Sequence, residues 1–110
     1  MREQRRFTFK SIFRMKASDR SSGRLLGYVG DISLRGLRLL SDEIFDVGTV
    51  LELRLRMRNG DGSVTLLDVD GTCLWSREAV RSEYIESGFY IDQPSEEFTR
   101  LVETIGGRCA

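Results

Sequence analysis

Histidine is absent from this sequence, and its 110 residues include only two cysteines and one proline. Without histidine the chain lacks the commonest general base and the commonest metal ligand. Cys73 and the next-to-last residue, Cys109, make neither a disulfide framework nor a zinc site. The carboxylates are scattered, with no paired spacing typical of catalysis. We therefore expect a protein without catalytic residues, bound metal or cofactor.

Long hydrophobic runs are also missing. No apolar stretch approaches the roughly 20 residues that a membrane-spanning helix needs, and no apolar segment follows the basic start MREQRR as it would in a signal peptide. Hydrophobic residues make up 40% of the chain and charged residues 31%, which is ordinary for a globular protein. The sequence predicts one cytoplasmic domain over residues 1–110, with no membrane insertion.

Charge is balanced overall but unevenly distributed. The net charge is zero, yet residues 1–40 carry +7 and residues 41–110 carry −7. Such an asymmetry favours a basic site for an anionic partner. We interpret residues 1–6 as a flexible basic arm.

Apolar and polar residues alternate along most of the chain, which is the periodicity of β-strands. The alternation is clearest in VLELRLRMR (50–58), which ends at the hairpin signal NGDG (59–62). About six strands with close turns predict a small antiparallel barrel or sandwich over residues 7–92. Trp75, in the strand after the hairpin, is expected to be a core or edge aromatic.

One helix is predicted at the end of the chain, over residues 95–105. Ser95 can cap it, and Gly106 and Gly107 can end it. The apolar side chains recur at helical spacing and need a sheet or barrel to cover them. They are Phe98, Leu101, Val102 and Ile105.

The segment GDISLRGLRLL (30–40) interrupts an apolar strand with Asp31, Ser33 and Gly36. Asp and Gly are depleted from strands, so two interpretations stay open here. Gly36 can mark a bend or bulge. Alternatively, the short polar groups and bare backbone can form a surface for a ligand. The spacing of the glycines does not match a phosphate-binding loop.

Taken with the basic arm, this segment resembles the PilZ domain family. Asp31, Ser33 and Gly36 match the family pattern D-x-S-x-x-G, and Arg5 and Arg6 match its paired arginines. The segments FDVGTVLELRL, CLW and SGFYI and the final helix follow in the family's order. The resemblance implies a mainly β fold: a six-stranded antiparallel β-barrel with a C-terminal α-helix.

The resemblance also implies a non-catalytic receptor for cyclic di-GMP, a bacterial second messenger. In that family the arm arginines hold phosphates and stack on guanine, the Asp and Ser reach guanine edges or phosphates, and the Gly allows close approach. Guanine's N1 and N2 donors suit a carboxylate acceptor. We therefore expect Asp31 and Ser33 to be exposed on the barrel. The implied binding residues are Arg5, Arg6, Lys10, Asp31, Ser33 and Gly36, with Arg2 as an additional arm contact.

The third basic position of the arm departs from the family, because it is Lys10 where arginine is usual. Lysine lacks the planar fork of arginine and its stacking face. A PilZ-like adaptor that binds only protein is therefore the alternative function. Too few exposed aromatics accompany the basic residues for a DNA- or RNA-binding barrel. We expect a monomer or weak homodimer that regulates motility, adhesion or exopolysaccharide through a protein partner.

Overall fold

The structure is a computed structural model, and it describes residues 7–8, 15–80 and 83–109, with side chains for 15–80 and 83–105. Within these ranges, seven strands precede one helix. They are β1 (Phe7–Thr8), β2 (Met15–Asp19), β3 (Leu25–Ser33), β4 (Gly36–Ser41), β5 (Val50–Arg58), β6 (Val64–Glu78), β7 (Ile85–Ile91) and α1 (Glu96–Cys109).

Alternation of side chains explains where the strands form, as β5 shows. Leu53, Leu55 and Met57 are buried, while the charged residues between them point to the solvent. The strand ends at the predicted hairpin, where Gly62 takes a φ of +90° that other residues resist. The amide of Gly62 donates to the carbonyl of Asn59 at 3.0 Å and closes the turn.

The strands form a closed barrel. Strands β2 to β7 pair in the cyclic order β2-β5-β6-β7-β4-β3, and β3 returns to β2. Every strand pair among the described residues is antiparallel. The two residues of β1 add a short pairing to β3. This arrangement confirms the predicted six-stranded antiparallel barrel.

The helix α1 covers one side of the barrel and completes the core. Its four predicted apolar side chains are all buried and belong to the same cluster as the inward residues of the strands. Ser95 caps the helix as predicted, since its hydroxyl accepts from the amide of Phe98 at 3.1 Å.

The predicted end of the helix at residue 105 is wrong, because α1 continues to Cys109. Gly106 and Gly107 lower helix propensity by about 1 kcal/mol each, but they keep the amides that helical hydrogen bonds require. Among the helices in the described ranges, none is long and apolar enough to span a membrane.

Candidate functional site

The segment D-x-S-x-x-G forms the tip of a β-hairpin. Strand β3 ends at Ser33 and β4 begins at Gly36, and these two residues pair across the turn. Asp31 pairs with Arg38 on one side and with Thr8 of β1 on the other. The three predicted binding residues therefore lie together, beside the backbone that follows the basic arm.

Asp31 and Ser33 are far less exposed than we expected. Their exposed fractions are 8% and 2%, so the expectation of solvent-facing side chains is wrong. The guanidinium of Arg38 covers Asp31, and its Nε donates to Oδ2 of Asp31 at 2.9 Å. The hydroxyl of Ser33 donates across the hairpin to the carbonyl of Gly36 at 3.4 Å.

A β-bulge is present in this segment, but it lies at Gly30 and not at Gly36. Val29 pairs with Leu39 and Asp31 pairs with Arg38, so Gly30 is the extra residue of β3. Gly36 keeps regular pairing with Ser33 and with Tyr90. The bulge interpretation of Gly36 is therefore wrong.

The bulge at Gly30 decides which way Asp31 points. Val29 is buried in the core, so strict alternation would turn Asp31 inward and Ile32 outward. The extra residue reverses this, because Ile32 is fully buried and Asp31 reaches Arg38 on the outer surface.

A second bulge, in β6, turns Trp75 to the outer surface in the same way. The pairing of β6 with β7 shifts between Cys73 and Trp75, which leaves Leu74 as the extra residue. Cys73 is buried in the core, and without the shift Trp75 would follow it inward. Trp75 instead lies over Gly88 of β7, where an added Cβ would come within 2.9 Å of Cζ2 of the indole ring. We expected Trp75 to be a core or edge aromatic; the structure excludes the core position, because the residue is partly exposed on the outer surface.

The two bulges bring four residues into one line across four neighbouring strands. The pairings Asp31–Arg38, Arg38–Gly88 and Gly88–Trp75 connect them on the outside of the barrel. We call Asp31, Arg38, Gly88 and Trp75 the outer row. Three strand spacings of about 4.8 Å make it roughly 14 Å long.

Alternating charges connect the outer row to its neighbours. Arg38 Nη1 donates to Oε2 of Glu86 at 3.0 Å, and Arg77 Nη2 lies 3.6 Å from the other oxygen of Glu86. The guanidinium carbon of Arg77 is 4.9 Å from the centre of the Trp75 ring, in cation–π geometry. Two carboxylates and two guanidiniums thus balance each other, so an anionic ligand needs further positive charge.

Comparison with known proteins agrees with this architecture. The sequence model of the PilZ domain family matches residues 1–105. The chain belongs to the PilZ domain family. No curated protein matches the sequence.

Three solved structures are similar to this PilZ domain. The inhibitor of motility MotI/DgrA of Bacillus subtilis has a TM-score of 0.75 and 12% identity over 99% of this chain, which spans about half (51%) of that protein. The PilZ domain of YcgR from Escherichia coli with c-di-GMP has a TM-score of 0.66 and 13% identity, covering 98% of this chain and 93% of that one. The K. pneumonia MrkH–c-di-GMP complex has a TM-score of 0.71 and 15% identity, and the match covers 99% of this chain and 52% of that one. At these identities the likeness concerns the fold.

The predicted arm residues of this PilZ domain lie outside the described residues. They are Arg2, Arg5, Arg6 and Lys10. Their roles in binding stay predictions.

Sequence reasoning missed the neighbours of the predicted binding residues. Arg38, Glu86 and Arg77 look like ordinary solvated strand charges, and only the strand order brings them to Asp31. Arg35, in the turn, donates to the hydroxyl of Tyr90 at 3.1 Å. The alternation of charged and apolar residues shows that such side chains point outward, but it does not show which strands are neighbours.

Two other features of this PilZ domain lie apart from the outer row. A cleft of about 630 Å³ separates the β5–β6 hairpin from α1, with Asn59, Leu66 and Arg100 among its lining residues. Burial raises the pKa of the Cys73 thiol, which makes it a poor nucleophile at neutral pH. Among the described residues, no group of three or more His, Cys, Asp or Glu could hold a metal ion.

Proposed function

We propose that this PilZ domain is a non-catalytic receptor for cyclic di-GMP that regulates motility, adhesion or exopolysaccharide through a protein partner. The observation that carries the proposal is the pairing of Thr8 with Asp31. Arg6 and Lys10 are each two residues from Thr8 in sequence, and two residues of chain span at most about 7 Å. The arm residue Arg6 is thus joined by a short stretch of chain to the strand that pairs with D-x-S-x-x-G, and this supports the proposal.

The chemistry of the two parts is complementary. The charges of Asp31, Arg38, Glu86 and Arg77 balance, so the arm has to supply the charge that offsets the ligand phosphates. Arg5 and Arg6 can bind phosphate oxygens in pairs and stack on a base. Asp31 can accept hydrogen bonds from N1 and N2 of guanine, which adds recognition of the base to the binding of the phosphates. Two of the structurally similar proteins were solved with c-di-GMP.

Two substitutions test the binding residues. We expect Arg6→Ala and Asp31→Ala each to abolish cyclic di-GMP binding while the barrel stays folded, since Arg38 keeps its bond to Glu86. Binding is measured from the fluorescence of Trp75, the one tryptophan of the chain, and folding from the melting temperature. Asp68→Ala is the matched control, because Asp68 pairs with Arg54 Nε at the same 2.9 Å, on β5 and β6. Parent-like binding by both site variants would show that these residues do not form the site.

A second candidate function is a PilZ-like adaptor that binds only protein. The low exposure of Asp31 and Ser33 favours it, because side chains that are 8% and 2% exposed offer little surface to a nucleotide. Lys10, in place of arginine, favours it as well. This function predicts a protein partner that is retained in pull-downs with or without cyclic di-GMP, and a melting temperature that the nucleotide does not change.

A further inference from the structure

Arg38 occupies a central place in the outer row. Its Nε donates to Asp31 at 2.9 Å and its Nη1 donates to Glu86 at 3.0 Å. All three side chains are at least three-quarters buried, so these charge-assisted bonds are less screened than exposed pairs. The guanidinium is thereby held between two strands, at a fixed position beside the carboxylate.

The bulge at Gly30 makes room for this guanidinium. A Cβ built at Gly30 would lie 2.9 Å from Nη2 and 3.0 Å from Cζ of Arg38. Any side chain at position 30 would therefore displace the group that bonds Asp31. The same glycine turns Asp31 outward and leaves space for its partner.

We infer that Arg38 is the positioning residue of the ligand site: it fixes the Asp31 carboxylate as the acceptor for the donor edge of guanine. The inference rests on the proposed function. Arg38 engages Oδ2 through Nε, and its single positive charge lies between Asp31 and Glu86. Holding the acceptor in place before binding removes the loss of side-chain freedom that binding would otherwise cost. The same guanidinium reduces the repulsion between Asp31 and the ligand phosphates.

Selection of guanine over adenine follows from this geometry. Guanine presents donors at N1 and N2, whereas N1 of adenine is an acceptor that a fixed carboxylate would repel. A carboxylate free to rotate away would discriminate less. Arg38 is therefore expected to affect the preference for cyclic di-GMP over cyclic di-AMP, which a purely structural residue would leave unchanged.

A double-mutant cycle on ligand affinity tests the inference. Isothermal titration with cyclic di-GMP compares Arg38→Gln in the parent and in an Asp31→Asn background. We expect Arg38→Gln to weaken binding about tenfold in the parent, as for one well-placed charged hydrogen bond. In the Asp31→Asn background the further loss should stay below about twofold, because the group that Arg38 positions is already altered. In the parent background, Arg38→Gln should also reduce the preference for cyclic di-GMP over cyclic di-AMP.

Matched controls separate positioning from charge and from folding. Arg54→Gln removes the same charge from the Arg54–Asp68 pair and should leave affinity within about twofold. Gly30→Ala should displace Arg38 and weaken binding with all charges kept, whereas Gly60→Ala should not, since nothing lies within 4 Å of a Cβ there. Gly30→Ala also provides the test if Arg38→Gln does not fold.

Each outcome decides between the proposals. Equal losses from Arg38→Gln in both backgrounds, or an equal loss from Arg54→Gln, would overturn the positioning role. If the parent binds cyclic di-GMP and both Arg38→Gln and Gly30→Ala bind it as tightly, only this inference is wrong. If the parent itself does not bind, the proposed function fails and this inference fails with it.

Discussion

The indole ring of Trp75 lies over Gly88 of β7, and replacement of Gly88 by alanine tests the outer row without any ligand. An added Cβ would meet the ring at Cζ2 within 2.9 Å, closer than real Cβ atoms approach their neighbours. Overpacking of this kind costs about 1–3 kcal/mol. Alanine recovers about 0.5–1 kcal/mol, because glycine loses more backbone freedom on folding. Trp75 is partly exposed and can move, so we expect a net destabilisation of about 1 kcal/mol.

Thermal denaturation and tryptophan fluorescence measure this prediction. A loss of about 1 kcal/mol lowers the melting temperature of a domain this size by roughly 4 °C. The displaced ring should lose its contact with Arg77, 4.9 Å away in the parent, and its emission should move to longer wavelength. Gly60→Ala is the control, since its Cβ meets nothing within 4 Å. An unchanged emission maximum and a melting temperature at or above that of the parent would refute the position of Trp75 over Gly88.

Two further predictions concern the cap of α1 and the carboxylate at the end of β2. Ser95→Ala removes the hydroxyl that accepts from the amide of Phe98 and should cost about 1 kcal/mol; an unchanged midpoint in urea would contradict the capping role. Hydrogen bonds from the Ser22 and Ser21 hydroxyls lower the pKa of Asp19 from its usual 3.8. A lowered pKa in the folded state stabilises the fold above pH 3.8 and loses this contribution as the pH falls through the folded value. Acid titration of the melting temperature should therefore be steeper for the parent than for Asp19→Asn, and identical curves would contradict it.

The strands could be predicted from the sequence because their periodicity is a local signal, whereas the choice of a six-stranded barrel over a sandwich came from the resemblance to PilZ domains. In β5 every second residue is apolar, and the structure buries Leu53, Leu55 and Met57 and partly buries Leu51. The apolar stripe of α1 and its cap at Ser95 are equally local signals, and both are confirmed. The end of α1 was not predicted correctly, since glycine weakens a helix without preventing it from continuing.

The surroundings of Asp31 could not be predicted from the sequence. A bulge adds one residue to one strand without any distinct pattern, yet it moves the following side chains to the opposite face. This is why Asp31 and Trp75 share the outer row, although alternation from Val29 and Cys73 would turn both inward. The contacts with Arg38 depend on strand order as well, and strand order is set by pairing across the whole barrel.

The most direct test of the receptor function is isothermal titration of the purified domain with cyclic di-GMP, with GTP as the control. We expect the cyclic dinucleotide to bind at low-micromolar concentration or tighter, and GTP not to bind. The stoichiometry would show whether one molecule or an intercalated pair binds. Absence of heat together with an unchanged melting temperature at high ligand concentration would contradict the receptor function and favour the protein-binding adaptor.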